Sequence, residues 1–357
     1  MRASSKRRKR VTTHQNGKSR APKPMIFDVP NELWTEVLSH LICVAVPTQR
    51  PFSSYIILPS YTLARQNALR ALSQTCREFR LKFLAQLWGR LEILGGDWYK
   101  HISSDLQRKS EGIFRNPGHA IFIHTVNVVL TRCSAAIVLS AFVRCLSSLP
   151  HLLTIQIHRA HAQMMSHLKS AFGGSFFPTV RTVILPSHAH DILRCCQNAT
   201  TVICNHGDGS QLVSAMRNEC RKVEVLDGFQ PNEKILKRIS KAVPNLREIR
   251  FCDPIAPVLQ VLSPLKHIHS IELRAPTNVT SPEAVRQDPQ LADCIDVACR
   301  ILQKPGGRKW LGIRGEGLRF SGHGESGEAE MISNAQYQGS RRSSSWLKLV
   351  PMSDQES

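Results

Sequence analysis

The chain has 357 residues, of which 42% are hydrophobic, so it is long and apolar enough for two domains or one elongated domain with a substantial core. Its formal net charge is +20. No run approaches the roughly 18 uninterrupted apolar residues of a spanning helix, so we expect no membrane partner. The 11 cysteines are irregularly spaced, which is typical of buried thiols in a reducing compartment rather than of a disulfide scaffold.

Residues 1–24 form a basic arm with nine lysines or arginines and no acidic residue. Their low apolar content predicts disorder. Five consecutive basic residues resemble a nuclear localisation signal or a patch that attracts nucleic acid. They are Lys6, Arg7, Arg8, Lys9 and Arg10. A solvated tail without a receptor is the alternative, and we therefore expect the protein in the nucleus, the cytoplasm or both.

A first amphipathic helix is predicted immediately after the arm. Pro30 suits a first helical position, where its missing N–H costs nothing. Glu32 and Glu36 are acidic residues near the helix start, which the helix dipole favours. Apolar residues then recur with the spacing of one helix face. They are Leu33, Trp34, Val37, Leu38 and Leu41.

A second helical stretch is predicted within residues 69–94, since its apolar residues recur at steps of three to five. They are Leu69, Leu72, Cys76, Phe79, Phe83 and Trp88. Basic and acidic residues, including Arg70 and Glu78, fill the opposite side. Helices this short are marginal alone, so the stripe needs a partner surface.

Together the two segments resemble the halves of an F-box, particularly the degenerate F-box-like proteins of mushroom-forming fungi. Val29 stands where the motif usually has leucine. The matching residues are Pro30, Glu32, Leu33, Val37, Leu38, Leu41, Leu72, Cys76, Arg77, Phe79, Leu87 and Trp88. The resemblance implies a small all-α module over residues 25–94 that binds the Skp-family adaptor of a cullin–RING ubiquitin ligase. An ordinary helical cap on a larger domain is the alternative.

The resemblance also implies which residues face the adaptor or hold the module together. They are Pro30, Leu33, Leu38, Leu41, Leu72, Cys76, Phe79 and Leu87. One departure is an insert at residues 42–67, much longer than an F-box usually has there. Pro47, Pro51 and Pro59 make a continuous helix across it improbable. Long loops add little entropic cost, so the module can survive, although the insert could obstruct the adaptor surface.

After a connector at residues 95–119, strand-like phrases of the form apolar-x-x-apolar-x-apolar recur over residues 120–276. Their first residues are Ile123, Leu152, Val180, Ala199, Cys220, Leu246 and Ile268. The intervals of 29, 28, 19, 21, 26 and 22 residues are close to those of leucine-rich repeats. Helix-like segments lie between them at 135–146, 160–172 and 233–242. We therefore predict a degenerate leucine-rich-repeat-like α/β solenoid, with a non-repetitive α/β domain of parallel strands as the alternative.

The repeat pattern fades after residue 276. Residues 277–304 include a predicted terminal helix whose face carries Leu291, Ile295, Ala298 and Leu302. Glycine, serine and charged residues dominate residues 305–357, which predicts a disordered polar tail. Ser343, Ser344 and Ser345 follow two arginines and could be phosphorylated, although many basic serine-rich tails share this composition.

The sequence nominates no catalytic residue and no cofactor. Six potential zinc ligands lie close together in the sequence, without a Cys-x-x-Cys pair, and several occupy expected core positions, so we predict no metal site. They are His188, His190, Cys195, Cys196, Cys204 and His206. No local signature marks a cysteine or histidine nucleophile.

We therefore predict a non-enzymatic substrate-recognition subunit of an SCF-type ubiquitin ligase. In F-box proteins with leucine-rich repeats, the repeats carry the substrate-binding surface, so the expected partners are the adaptor, its cullin ligase and a protein substrate. The competing prediction is a nuclear scaffold, or a nucleic-acid-associated protein that binds phosphates weakly and non-specifically through the basic arm.

Overall fold

A computed structural model describes residues 29–40, 64–94, 101–133, 135–276, 282–303, 309–316 and 344–349. The basic arm, including Lys6–Arg10, lies outside these residues. So does most of the insert, since α2 begins at Ala64.

The fold is mixed α/β, as predicted, with a ten-stranded sheet whose strand order follows the chain. The first nine strands pair in parallel, and the last pairs antiparallel with its neighbour. They are β1 (Arg90–Ile93), β2 (Thr125–Val129), β3 (Thr154–Arg159), β4 (Thr182–Pro186), β5 (Thr201–His206), β6 (Val225–Asp227), β7 (Glu248–Phe251), β8 (Ser270–Arg274), β9 (Trp310–Glu316) and β10 (Ser344–Leu349).

Helices precede the sheet and connect its parallel strands. Consecutive connecting helices contact each other from α4 to α10, with the four-residue α5 set aside. The helices are α1 (Asn31–Ser39), α2 (Ala64–Thr75), α3 (Arg77–Trp88), α4 (Ile102–Arg115), α5 (Pro117–Ala120), α6 (Ala135–Ser147), α7 (Met165–Phe172), α8 (His190–Arg194), α9 (Ser210–Glu219), α10 (Glu233–Ala242), α11 (Ala256–Leu259), α12 (Pro282–Gln287) and α13 (Pro289–Leu302). Within the described part, no helix is both long and apolar enough to cross a membrane.

The core lies between the connecting helices and one face of the sheet. Side chains alternate between the two faces of a strand, so apolar residues at every second position form a continuous layer. At one level of the sheet this layer contains Val126, Ile155, Val183 and Val202, which are paired in register and fully buried. The layer continues into one large cluster with side chains of the helices. We call the opposite face of the sheet the open face, and several of its side chains are nevertheless buried, since Gln156, Ile184 and Glu272 are 4%, 2% and 3% exposed.

The same backbone hydrogen bonds recur at the start of the parallel strands. The carbonyl of the residue just before one strand accepts from two successive N–H groups at the start of the next. For example, the Leu153 carbonyl accepts from the amides of Arg181 and Thr182, and the Arg181 carbonyl accepts from those of Thr200 and Thr201. This pattern runs from Gly89 through Arg247, so successive strands enter the sheet in the same way.

Two predicted positions are wrong, and the connector contains a helix. Residues 90–93, assigned to the helical module, form β1, because Leu91 and Ile93 are buried in the core of the sheet. The connector at 95–119 contains α4, whose Leu106 and Ile113 are buried in the same core. The phrase beginning at Cys220 is displaced by three residues, because Leu226, and not Val223, pairs with Val202. With Val223 as the first residue, the neighbouring intervals become 24 and 23 residues.

The predicted tail needs correction, whereas the predicted terminal helix is present. Residues 305–357 contain β9 and β10, so the prediction of a wholly disordered tail is wrong for these strands. Leu311 and Ile313 are buried, and they extend the apolar layer beyond β8. The predicted helix is α13, which carries all four predicted face residues and begins at Pro289, where Asp288 caps it by accepting from the Leu291 amide. The shorter α12 precedes it.

Candidate functional site

The first candidate site is the three-helix module α1–α3, which has its own small core. Leu69, Phe79 and Phe83 are buried, and Trp34 packs against them. The indole of Trp34 lies edge-on to both phenyl rings, with centroid distances of 5.7 Å to Phe79 and 5.2 Å to Phe83. These aromatic contacts hold α1 against α3.

A cysteine cap separates α2 from α3. The predicted stripe from Leu69 to Trp88 is divided at Cys76, which has extended backbone angles and whose sulfur accepts from the Phe79 amide at 3.5 Å. Arg80 links α3 to α2, because its Nε donates a hydrogen bond to the Ser73 carbonyl at 3.3 Å. Cys76 therefore contributes to the module as a helix cap, which the regular apolar spacing did not reveal.

A lysine fixes the start of α1 on α3. Lys82 Nζ donates to the Val29 carbonyl at 3.0 Å and lies 5.7 Å from the centroid of the Trp34 ring. The Phe79 and Phe83 contacts of Trp34 lie on the same side of α1. The side of α1 that carries Trp34 therefore packs within the module.

Another side of α1 presents apolar side chains to solvent. Leu33 and Val37 are 56% and 55% exposed, and their spacing of four residues places them on one helix face. Leu81 on α3 is 72% exposed. Scattered exposed aliphatic residues are common on proteins, but a pair on one face of a short helix is a candidate contact for a partner.

The residues predicted to bind the adaptor fall into two groups. Pro30 and Leu33 are exposed, so they can contact a partner directly. Phe79 is buried, while Leu72, Cys76 and Leu87 are half-buried and pack against the module core, so these four support the surface from within. Leu41 and the side chain of Leu38 lie outside the described part of the chain. Val37 and Leu81 were not among the predicted contact residues, although the helical spacing already placed Val37 beside Leu33.

The module continues directly into the sheet. Only Gly89 separates α3 from β1. Trp88 packs against the main core and stacks on the imidazole of His119, with ring centroids 4.4 Å apart and planes 7° from parallel. A side chain at position 89 would bring its Cβ within 3.2 Å of the Ala85 carbonyl, so the tight connection favours glycine. The two regions are therefore joined by a short connection and an aromatic stack.

The second candidate site is the open face of the sheet. Residues that are paired in register across neighbouring strands form one row on this face. The polarity of their side chains changes from strand to strand. Asn127 and Gln156 are neutral and polar, Ile184 and Ile203 are apolar, and further along the row is charged. The row contains Glu92, Asn127, Gln156, Ile184, Ile203, Asp227, Arg250 and Glu272.

The charged part of the open face is an ion-pair network around one guanidinium. Arg250 lies 2.6 Å from Glu248, 3.3 Å from Glu272 and 3.7 Å from Asp227. Glu272 is nearly fully buried, so its carboxylate needs this partner. At the other end of the row, burial raises the pKa of Glu92 although Arg90, Arg65 and Lys109 are near.

The histidines and cysteines considered as zinc ligands are buried thiols or make hydrogen bonds and ring contacts within the protein. Burial raises the pKa of Cys195 to about 11 and that of Cys204 to about 12, which keeps both as thiols. His188 Nε2 lies 3.0 Å from the Ala160 carbonyl, and its ring is 5.9 Å from that of His206. Among the described residues, no group of three or more potential ligands is arranged to hold a metal ion.

Comparison with known proteins finds no matching family model and no matching curated protein. The F-box resemblance therefore rests on the sequence motifs alone.

Proposed function

We propose that this protein is a non-catalytic substrate receptor of an SCF-type cullin–RING ubiquitin ligase. In this proposal α1–α3 form an F-box that binds the Skp-family adaptor. The parallel strands and their helices form a leucine-rich-repeat-like solenoid, and its open face holds a protein substrate. The receptor contributes proximity, because it holds the substrate near a ubiquitin-conjugating enzyme that another subunit recruits.

The proposal rests mainly on α1, whose one side packs within the module while another side is exposed. Trp34 secures the helix from one side through Phe79 and Phe83, while Leu33 and Val37 remain exposed on another. A short helix gains little stability from its own hydrogen bonds. An apolar face on such a helix is best explained by a partner that buries it, and a mainly apolar contact is expected at the centre of a protein interface.

The backbone hydrogen bonds that recur at the start of successive strands support the proposal of a solenoid. The carbonyls of His124, Leu153, Arg181 and Thr200 each accept from two successive amides of the following strand. A stack of similar units is expected to repeat one arrangement through consecutive strands in this way. The unbroken strand order and the single row of helix contacts point to the same architecture.

Co-purification with the Skp-family adaptor at moderate salt tests the receptor function. The full chain is compared with a variant that lacks residues 42–63, which leaves α2 intact. A stoichiometric complex with the full chain is the expected result. Binding by the deletion variant alone would make the insert an obstruction or a switch, and failure of both would overturn the proposal.

The basic arm supports a second candidate function. Its nine basic residues without an acid favour weak, sequence-independent binding to nucleic acid. Retention on DNA or RNA should then fall steeply with salt and vanish when residues 1–24 are deleted. Salt-resistant retention, or retention by the deletion variant, would exclude the arm as the cause.

A further inference from the structure

The turns that lead from a helix into the next parallel strand carry an unbalanced charge. Over the described residues these turns hold six lysines or arginines and one acidic residue, Glu224. The turns at the opposite ends of the strands hold Arg132 against Asp208 and Asp253, so the basic charge is confined to one edge of the sheet. We call this set of six residues the basic edge. It consists of Arg181, Arg221, Lys222, Arg247, Lys266 and Lys309.

The pairing of the strands sets the basic edge in a line. Arg181, Arg247 and Lys309 each lie one position before the first residue of a strand, and those first residues are paired in register from β4 to β9. Arg221 and Lys266 share another position, four residues before β6 and β8. Neighbouring strands lie about 4.8 Å apart, so the line from β4 to β9 is about 24 Å long, which is the length of about seven extended residues.

Three of the cationic groups are held in place by a neighbouring turn. Arg181 donates to the Asn198 carbonyl at 3.0 Å, and Lys222 donates to Asn198 Oδ1 at 2.7 Å. Lys309 donates to the Ile268 carbonyl at 3.0 Å. A guanidinium has five N–H donors and an ammonium has three, so each group keeps donors for an anionic partner. Because these side chains are already positioned, binding costs less conformational entropy.

The basic edge faces solvent and is only partly neutralised. All of its residues are exposed except Lys309, which is half-buried. Glu224 lies 3.6 Å from Arg247, so the single acidic residue of these turns offsets one of the six bases. Most of the positive charge is therefore available to a partner.

Helix dipoles account for other basic residues nearby. Arg144, Lys169, Arg217 and Lys241 lie in the last turns of α6, α7, α9 and α10. The carboxyl end of a helix favours a cation there, but this effect falls off within the last turn. The basic edge lies in the turns beyond the helices, so the dipoles do not explain it.

The line of bases begins beside exposed apolar side chains. Leu153 has the same position before β3 that Arg181 has before β4, and it is 46% exposed. Phe176, in the turn before Arg181, is 51% exposed. The turns at 220–224, 243–247 and 263–269 contain no phenylalanine, tyrosine or tryptophan, whereas single-stranded nucleic acid is commonly bound by aromatic side chains on which its bases stack. Apolar contacts beside a line of bases fit a protein segment better than a nucleic acid.

We propose that the basic edge binds an acidic segment of a protein partner, with an apolar residue of that segment near Leu153 and Phe176. The carboxylates of the segment pair with the guanidinium and ammonium groups along the line. That this partner is the ligase substrate rests on the proposed receptor function, in which a substrate lies on the open face of the same sheet. The basic edge then selects substrates that carry acidic segments.

Fluorescence anisotropy with the full chain tests the proposal. The probe is a labelled, blocked peptide of the sequence Phe-Glu-Glu-Gly-Glu-Glu-Gly-Glu-Glu, and the matched probe has glutamine in place of each glutamate. The edge variant combines Arg221→Glu with Lys266→Glu. The control variant combines Arg132→Glu with Lys234→Glu, which are exposed at the opposite ends of the strands and give the same net charge. All variants keep the basic arm, so its background binding is equal in each.

The expected result is saturable binding of the glutamate peptide and none of the glutamine peptide. The edge variant should bind the glutamate peptide about tenfold more weakly than the control variant, because two attractions become repulsions. A neutral version with Arg221→Gln and Lys266→Gln should lie between them, which separates loss of charge from a folding defect.

Equal binding by the edge and control variants, or equal binding of both peptides, would overturn the proposal. Oligothymidylate is the competing probe. If the edge variant loses more affinity for oligothymidylate than for the glutamate peptide, the edge is a nucleic-acid surface and the proposal is wrong. Adaptor co-purification of the same variants keeps the two proposals apart. Peptide binding without adaptor binding would support the acidic-segment surface and overturn only its link to a ligase substrate.

Discussion

The three-helix module and the sheet domain use apolar side chains in different ways. In the module, a small core around Leu69, Phe79 and Phe83 coexists with exposed Leu33 and Val37. In the sheet domain, one continuous cluster runs from β1 to β9. The difference leads us to expect that the sheet domain sustains its own fold, whereas α1 of the module leaves apolar side chains in contact with solvent.

The largest effect should come from removing a core phenylalanine in the sheet domain. Phe142 on α6 is fully buried and lies edge-on to Phe172, with centroids 6.3 Å apart. Phe142→Ala should lower the free energy of unfolding by about 3–5 kcal/mol, as measured by denaturant titration.

Phe83→Ala is the matched change in the module. Phe83 is also fully buried, but its aromatic partners belong to α1 and α3. Hydrogen exchange should therefore speed up in α1–α3 and stay unchanged in β2–β8. Equal loss of protection in both regions would contradict the proposed independence of the sheet domain.

Acid should weaken the sheet domain through His158. Burial lowers the pKa of this imidazole from 6.5 to about 4, so below pH 6.5 the unfolded chain binds a proton that the folded chain does not. Stability should fall as the pH drops from about 6.5 to 4, by at most about 3 kcal/mol. His158→Gln should flatten this part of the pH profile, and an unchanged profile would show that other groups cause the acid sensitivity.

A smaller effect should follow from weakening the connection between the two regions. Trp88 is half-buried and stacks on His119. Trp88→Ala should cost about 1–2 kcal/mol, and His119→Ala should cost less because the Trp88 contacts with the main core remain. A double-mutant cycle measures the stacking energy. Additive effects would show that the ring contact does not couple the regions.

Much of the fold could be predicted from the apolar pattern. Apolar spacing placed α6 and α10 and most of the parallel strands, because one face of each element is buried in the core. The displaced phrase at Cys220 shows the limit of this approach. Cys220, Val223 and Leu226 are all buried, so composition alone did not establish the register of β6, which pairing with β5 does.

The candidate sites were less predictable because they depend on tertiary contacts. The apolar pattern predicts an amphipathic α1, but only packing against Phe79 and Phe83 shows that Trp34 is the inward residue and that Leu33 and Val37 are exposed. The ion-pair network around Arg250 gave no signal in the sequence, because its members come from three different strands.

The most direct test of the receptor function is adaptor co-purification of the Leu33→Asp, Val37→Asp double variant. Both residues are exposed, so the free energy of unfolding should change by less than about 0.5 kcal/mol. Ile137→Asp is the matched control, since Ile137 is a 65% exposed aliphatic residue on α6 of the sheet domain. Our account predicts that the control binds like the unmodified chain and that the double variant does not bind. Full binding by a folded double variant would contradict the assignment of α1 as the adaptor-binding surface.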